Sequence, residues 1–520
     1  MCKEINSPIK TYLGQKGYSI YKNQISINEQ EFIRAQLKVA PYMPKSPIKP
    51  QSFPVYLESS QKLYIPRYFG IEHFGEPDEI RISAGKDIKL EFTGELRENQ
   101  KEIVKKFVGH VTCSPNCGGG GLIELGCGQG KTVIGLNIIS QLNKKTLIIV
   151  HKGFLLMQWI ERIRQFLPDA RVGQIQGQII DIENKDIVIG MLQSLSMKAY
   201  PQEIFDEFGL TIIDECHHIS SEVFSRSLQK IVTKYTLGLS ATMQRKDGLT
   251  RVFKMFLGEI VYKGEREKTE NVLVKSIRYI TSDDEFNEIE YDFRGNVKYS
   301  TMISKLCNYN RRSEFILEVL ENELKLNNNQ QIMILAHNKC LLIYLFKAIM
   351  HRNFASVGYY IGGMKDEALK ASETKQIIVA TFSMAAEALD IKSLTTLLMA
   401  SPKTDIVQAV GRILRVKHAQ PLIIDIVDNH DVFKKQYNKR KVFYMQNKYK
   451  IIDTNNDLYL SDKWTTLYDP DSCTPAKIRK STKKTATQKQ NFDININTEL
   501  FSELKIQDIE RELPSNQCLI

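Results

Sequence analysis

From about residue 93 onward, short apolar runs recur, each followed by a polar or glycine turn and then a helical stretch. Thr146–Val150, Ile187–Ile189, Thr211–Ile213 and Leu237–Leu239 form one series; Ile332–Leu335, Ile377–Val379, Thr396–Met399 and Leu422–Ile426 form a second. A half-buried strand alternates apolar and polar residues. Runs apolar throughout and this short fit strands covered on both faces, as in a parallel sheet. Two such series predict an α/β chain with two parallel-sheet domains in tandem. Between them, residues 281–300 are acidic and then contain glycine and asparagine, and read as a linker or mobile insertion.

The flanks have a different texture. Pro41, Pro44, Pro47, Pro50 and Pro54 fall within fourteen residues. Proline fixes φ and removes a backbone donor, so this stretch reads as a loop or extended strap. Leu63 to Phe69 reads as a strand interrupted by Pro66. Beyond about residue 450 the apolar period fades, and residues 472–500, rich in Lys, Thr, Gln and Asn, read as disordered. The expected divisions are 1–92 for an N-terminal accessory module, 93–270 and 271–450 for the two α/β domains, and 451–520 for a basic extension. No apolar run approaches the ~20 residues of a membrane-spanning helix. The opening Met-Cys-Lys-Glu-Ile-Asn lacks the apolar core of a secretory signal, and nine scattered cysteines fit a reducing, intracellular setting.

Charge adds a candidate partner. Lys and Arg total 71 against 60 Asp and Glu, a net +11. Seven basic residues and no acid lie in 434–450 (Lys434, Lys435, Lys439, Arg440, Lys441, Lys448, Lys450), and six more lie in 477–489. A basic C-terminal third suits a polyanion; the bland alternative is a solvated basic face.

Three motifs carry chemistry. Gly126-Cys127-Gly128-Gln129-Gly130-Lys131-Thr132 follows the apolar stretch Leu122–Leu125 and precedes the helical run Val133–Leu142. Glycines let backbone N–H groups curl round a phosphate at a helix N-terminus, Lys131 can reach β- and γ-phosphates, and Thr132 can ligate Mg²⁺. Leu125 stands where the strict pattern has its first glycine. The second motif is Thr211-Ile212-Ile213 running into Asp214-Glu215-Cys216-His217. Asp214 can hold Mg²⁺ and Glu215 can orient and deprotonate an attacking water. Cys216, His217 and His218 are too close together on one strand end to converge on a zinc ion. Cys113 and Cys117 read as two free thiols in a loop. The third motif is Gln408-Ala409-Val410-Gly411-Arg412-Ile413-Leu414-Arg415. On a helix Arg412 and Arg415 share a face, and two guanidinium groups can clamp a triphosphate held by the other domain.

The ordered set, over roughly residues 93–430, resembles the superfamily-two helicases, which implies two RecA-like domains. Leu96-Arg97-Glu98-Asn99-Gln100 is similar to the adenine-reading segment, with Gln100 as base contact. Ser240-Ala241-Thr242 resembles the motif that couples hydrolysis to nucleic-acid binding, a role the resemblance extends to His217 and Gln408. Ala380-Thr381 with Glu387-Ala388-Leu389-Asp390 resembles the fifth motif, Thr381 touching a backbone phosphate. Leu125 to Thr132 and Gly238-Leu239-Ser240-Ala241-Thr242-Met243-Gln244-Arg245-Lys246-Asp247 look like the XPB-like branch and the transcript-release helicases of poxviruses and other large DNA viruses. Lys246 replaces the acid of that branch's Arg-Glu-Asp element.

The resemblance implies an ATP- and Mg²⁺-dependent motor acting on DNA, with viral transcription or DNA repair as its setting. It implies host cytoplasm, virion or nucleus as location and transcription machinery as a partner. The rivals are an RNA-directed helicase, a hydrolysis-dead scaffold binding nucleic acid, and a restriction-enzyme motor subunit. The full set of Lys131, Asp214, Glu215, Arg412 and Arg415 argues against the scaffold. No nuclease cluster in 1–92 or 450–520 supports the last.

Overall fold

A computed structural model describes residues 10–42, 50–114, 116–126, 128–216, 221–243, 247–264, 271–387, 391, 393–414, 418 and 420–472. The chain divides into two compact units, Met1–Arg266 and Glu267–Ile520. No helix among the described residues is long and apolar enough to cross a membrane.

The first unit opens with a small sheet. Strands β1 (Thr11–Gly14) and β2 (Gly17–Tyr21) form a hairpin. A short pair, β3 (Lys38–Val39) and β4 (Phe53–Pro54), brackets the proline strap. Next come β5 (Leu57–Glu58), β6 (Lys62–Ile65) and β7 (Glu79–Ile80), and the five-stranded order is β5-β6-β2-β1-β7. One face of this sheet buries Tyr18, Ile20, Leu63 and Ile65 against helices α1 (Ile27–Gln36) and α2 (Arg67–Phe74) through Ile33 and Phe69. The strand expected over Leu63–Phe69 ends at Ile65. Pro66 is the N-cap of α2 instead of an interruption, because its fixed φ suits a helix start. Residues 10–92 have their own sheet yet pack into one unit with the domain that follows. Val39 and Val55 sit in that domain's core, and the Arg67 guanidinium donates to the carbonyls of Cys117 and Lys234.

Helix α3 (Glu98–Thr112) leads into the first large sheet. Its strands are β8 (Gly120–Glu124), β9 (Thr146–Val150), β10 (Val172–Gln176), β11 (Ile179–Ile180), β12 (Ile187–Met191), β13 (Leu210–Asp214), β14 (Tyr235–Ser240) and β15 (Ile260–Lys263). The order is β11-β10-β12-β9-β13-β14-β8-β15, parallel except for β11. Helix α4 (Lys131–Leu142) follows β8 and α5 (Gly153–Phe166) follows β9.

The second unit holds β16 (Leu273–Tyr279), β17 (Gln331–Ala336), β18 (Val357–Tyr360), β19 (Ile377–Thr381), β20 (Leu394–Met399), β21 (Leu422–Asp428), β22 (Lys450–Asn455) and β23 (Thr465–Tyr468). The order β18-β19-β17-β20-β21-β16-β22-β23 is parallel except for β23. Along β17, Ile332 and Ile334 enter one apolar cluster while Met333 and Leu335 enter another, so the sheet is covered on both faces. These are tandem RecA-like α/β domains.

Three features differ from the sequence expectation. The second sheet runs on past residue 450 through β22 and β23 to Tyr468. Residues 281–300 follow the first strand of the second sheet instead of linking two sheets. They are built structure: Phe286 is buried, Asp292 closes a turn onto Arg294 and Asn296, and the Lys305 ammonium donates to the carbonyls of Glu285 and Glu288. Within the basic stretch, Arg440 is no surface charge: it is buried on helix Asp431–Gln446 and pairs with Asp425 through two bonds of 2.8 Å. Six of the thirteen counted basic residues, and the disorder expected over 472–500 apart from Ser472, lie outside the described residues.

Candidate nucleotide site

Register sets the site. Glu124 pairs with Ser240, and Asp214 with Leu239, so β8, β13 and β14 finish side by side at one edge of the sheet. Ligands of open parallel sheets gather at this carboxyl edge. The loop leaving β8 begins at Leu125, whose N–H donates to Ser240 O at 2.9 Å. Leu125 is buried in the core, which explains an apolar residue at that position. Gly128 (φ +80°) and Gly130 (φ +81°) occupy left-handed backbone that L side chains disfavour. A Cβ on Gly130 would also lie 2.4 Å from Gln100 Nε2. Gly126 N–H donates to Gln129 Oε1 at 2.8 Å, closing the loop on itself.

Gln100, in the first turn of α3, latches the loop from outside. Its Oε1 accepts from Arg97 N–H at 3.0 Å and its Nε2 donates to Gln129 O at 3.1 Å. Lys131 and Thr132 stand at the N-terminus of α4, where the helix dipole favours an anion. Lys131 Nζ is 2.9 Å from Glu215 Oε1 and 3.4 Å from Leu125 O. Glu215 itself has φ +48°, an uncommon left-handed conformation for a side-chain-bearing residue, costing roughly 1–3 kcal/mol. Asp214, at the end of β13, is buried and accepts from Trp159 Nε1–H at 2.8 Å. Burial first, and the Glu215 charge second, push its carboxyl up to about 6. A buried carboxylate beside a glycine cradle, a lysine and a threonine is a donor set suited to a magnesium–nucleotide.

Ser240 is buried; its Oγ donates to Thr242 O at 2.6 Å and accepts from Thr242 N–H at 3.3 Å. Ala241 is half-buried and Thr242 exposed, just past the loop's strand partner. His217, Gln244 and the Arg245-Lys246 part of the Arg-Lys-Asp element lie outside the described residues. Cys117 is buried against Arg67 and Cys113 is exposed; both are free thiols.

In the second unit Thr381 ends β19, its Oγ1 3.1 Å from Ser383 Oγ. Gln408 is half-buried on helix Val407–Ile413. That helix also carries Arg412, but the Arg412 side chain, all of Arg415, and residues 388–390 fall outside the described residues. The shared face expected for the two arginines is therefore not described.

Two features were missed from the sequence. Trp159 carried no motif, and its link to Asp214 spans 55 positions. His337, directly after β17, has Nε2 2.9 Å from Pro402 O, while its N–H donates to Ser401 Oγ at 2.9 Å. Burial, and then Lys403, lower its imidazole to about 4. The Lys403 ammonium lies over the Phe382 ring at 5.7 Å. His337, Thr381 and Ser401–Lys403 thus share the carboxyl edge of three adjacent strands.

Known proteins share this arrangement. The family described as type III restriction enzyme, res subunit, matches residues 93–245. A protein of Acanthamoeba polyphaga mimivirus, provisionally named an ATP-dependent RNA helicase, is 37% identical over 458 residues, covering 85% of this chain and 86% of its own. An African swine fever virus protein with the same provisional name is 26% identical, covering 77% of this chain and 80% of its own. Among solved structures, a variant of S. cerevisiae Dbp5 bound to RNA and ADP BeF3 matches with a TM-score of 0.50 and 11% identity, covering 69% of this chain and 91% of that one. That likeness speaks to the fold. By its identity to the mimivirus protein over most of both lengths, the chain belongs to the superfamily-two helicases, ATP-hydrolysing enzymes that act on nucleic acid.

Proposed function

We propose that the chain is an ATP-driven translocase that tracks along DNA, serving viral transcription, at transcript release, or DNA repair. The observation that carries the reading is the Lys131–Glu215 pair, 2.9 Å apart, at the sheet edge where the glycine loop and Asp214 meet. It unites a phosphate-binding lysine with a carboxylate able to orient water, the two functions hydrolysis needs. Lys131 neutralises phosphate charge, and the glycine loop forms the cradle. Gln100 reads the base. Thr132 and Asp214 hold Mg²⁺, which supplies further charge neutralisation on the phosphates. Glu215 accepts the proton of the attacking water. Arg412 and Arg415 add guanidinium charge to the triphosphate. His217, Ser240, Ala241, Thr242 and Gln408 couple nucleotide state to nucleic-acid grip, and Thr381 donates to a backbone phosphate. The viral origin of the relatives supports an intracellular site of action, in host cytoplasm, virion or nucleus, alongside transcription machinery.

An RNA-directed motor is the second reading, favoured by the names of the mimivirus and African swine fever virus relatives. ATPase stimulation and strand displacement on matched DNA and RNA substrates separate the two. Stronger stimulation by RNA replaces the DNA reading. Glu215→Gln tests the chemistry: ATP binding is expected to persist while turnover falls about 10²–10⁴-fold. Near-normal turnover refutes the role of Glu215, and a nucleotide-binding protein with no turnover in the parent chain restores the scaffold reading.

A further inference from the structure

The N-terminal sheet has one face packed on α1 and α2, and α2 in turn packs on helix Thr250–Leu257 of the first large domain. The other face carries tyrosines and cations. Alternation along the strands puts Tyr12 of β1, Tyr21 of β2, and Lys62 and Tyr64 of β6 on this outer face, since their neighbours Leu13, Ile20, Leu63 and Ile65 go inward. The Lys62 ammonium lies 5.0 Å from the Tyr12 ring and 4.5 Å from the Tyr21 ring, and 3.2 Å from Tyr12 Oη. Arg81 stacks over Tyr12 at 4.1 Å, and Lys16 over Tyr64 at 5.1 Å. Tyr12 and Tyr21 are themselves ring neighbours at 5.9 Å. Such cation–ring contacts occur about once per 70–80 residues in proteins generally, so four on one small sheet face is a concentration.

Cations outnumber acids on this face: Lys16, Lys62 and Arg81 stand against Glu79, which lies in register with Tyr12. Arg81 pairs with the exposed Glu79. Among the described residues no carboxylate pairs with Lys16 or Lys62. The nearby Glu58 is on the inward register of β5 and is taken by Lys22 and Arg34. Side chains already ordered on aromatic rings lose less freedom when a ligand arrives than freely swinging lysines would.

We propose that this outer face, through Lys16, Lys62 and Arg81, is a second nucleic-acid site that holds backbone phosphates without regard to sequence. The proposal rests on the chain being a nucleic-acid motor, which supplies the polyanion. It is separate from the nucleotide edge. The module is fastened beside the amino ends of the strands: Arg67 reaches Cys117 and Lys234, before β8 and β14, and Gln15 and Lys86 reach Asp206 and Glu207, before β13. The glycine loop leaves the opposite ends, five residues or roughly 16 Å away along a strand. The face therefore anchors nucleic acid outside the path the motor steps along, raising residence on the substrate without entering the hydrolytic cycle.

The test uses the full chain with Lys16→Ala, Lys62→Ala and Arg81→Ala combined. Affinity for labelled single-stranded and duplex oligonucleotides is measured between about 50 and 200 mM salt. Each lost phosphate contact removes roughly 0.7–0.9 from the log–log salt slope, so the slope is expected to flatten by about 2–3. Nucleic acid at half-maximal ATPase stimulation rises, while the ATPase rate at saturation stays at the parent value. Lys62→Arg alone retains the parent slope. A milder pair, Lys62→Gln with Arg81→Gln, keeps the stems on the rings and guards against loss of fold, checked by melting temperature. Ultraviolet cross-linking of bromouracil-substituted strands should yield adducts on peptides holding Tyr21 or Tyr64. An unchanged slope in folded variants, or adducts confined to residues after 92, overturns the proposal and leaves the tyrosine–cation stack a structural device. If no nucleic acid stimulates the parent ATPase, the motor reading fails instead, and the slope comparison still decides the face.

Discussion

Replacing Trp159 by Phe isolates one bond at the nucleotide site. The indole N–H donates to Asp214 Oδ2 at 2.8 Å, both groups are buried, and the bond favours the charged carboxylate. Phenylalanine keeps most of the ring volume against α4 and removes the donor. A hydrogen bond to a charged group contributes about 1.5–3 kcal/mol, and one pKa unit is about 1.36 kcal/mol, so the carboxyl should rise by about 1–2 units. From its starting position at about 6, the acid limb of ATP hydrolysis should move to about 7–8. At pH 7 the ionised fraction would then drop roughly 2- to 10-fold, and near pH 9 it would recover. The assay is kcat/KM for ATP at fixed Mg²⁺ and saturating nucleic acid across pH 5.5–9, because kcat/KM reports groups of the free enzyme. A limb that stays put refutes the proton preference assigned to this bond, as does activity that falls equally at every pH, which would mean lost packing.

His337 is held neutral to about 4, below its ordinary value, so an unfolded chain takes up a proton first as pH falls. Stability present above about 6.5 should be lost progressively between about 6.5 and 4, and His337→Gln, which can still donate to Pro402 O, should flatten this in urea midpoints at pH 7.5 and 5. Arg440→Ala strands buried Asp425 and should cost about 3–5 kcal/mol in chemical denaturation, while exposed Lys439→Ala should change stability by less than about 0.5 kcal/mol. Arg415→Ala should cut hydrolysis by about 10³-fold with ATP affinity little changed, and Arg415→Lys should not restore it fully; silent substitutions would make Arg415 a surface charge.

The two α/β domains were legible because their strands are buried on both faces, which writes an unbroken apolar run such as Ile332–Leu335. The glycine loop and Asp214-Glu215 were legible because positive φ and a strand-end carboxylate pair restrict residue choice locally. What escaped depends on partners far along the chain. Strand β22 alternates buried and half-exposed residues and starts with Lys450, so no apolar run marked it. Residues 281–300 looked like a linker because their acids outnumber the single buried anchor, Phe286. Arg440 counted as one of a basic cluster, yet it lies on the buried stripe of its helix with Gln436, Tyr437 and Tyr444. Charge summed along a sequence has no direction; the helix period gives it one.

The same distinction bears on how the nucleotide loop is held. Three segments distant in sequence restrain it: Gln100 from α3 through Gln129 O, the end of β14 through the Leu125 N–H to Ser240 O bond, and Glu215 through Lys131. Ser240 uses its carbonyl for the loop and its hydroxyl for Thr242, so the turn Ser240–Thr242 and the loop share one residue. Tight packing makes such a residue hard to move on one side alone. A ligand that displaced Lys131 from Glu215 would release one restraint and load the other two. The Ser240 carbonyl is the restraint that leads to an exposed turn; on the coupling role proposed for Ser240 and Thr242, phosphate occupancy would reach Thr242 through it. The loop takes the Ser240 backbone carbonyl, so Ser240→Ala keeps that bond and removes the hydroxyl's bonds to Thr242 and its contact with Cys216. It should leave ATP binding intact and weaken the stimulation of hydrolysis by nucleic acid. Equal stimulation in the variant and the parent would remove Ser240 from the path.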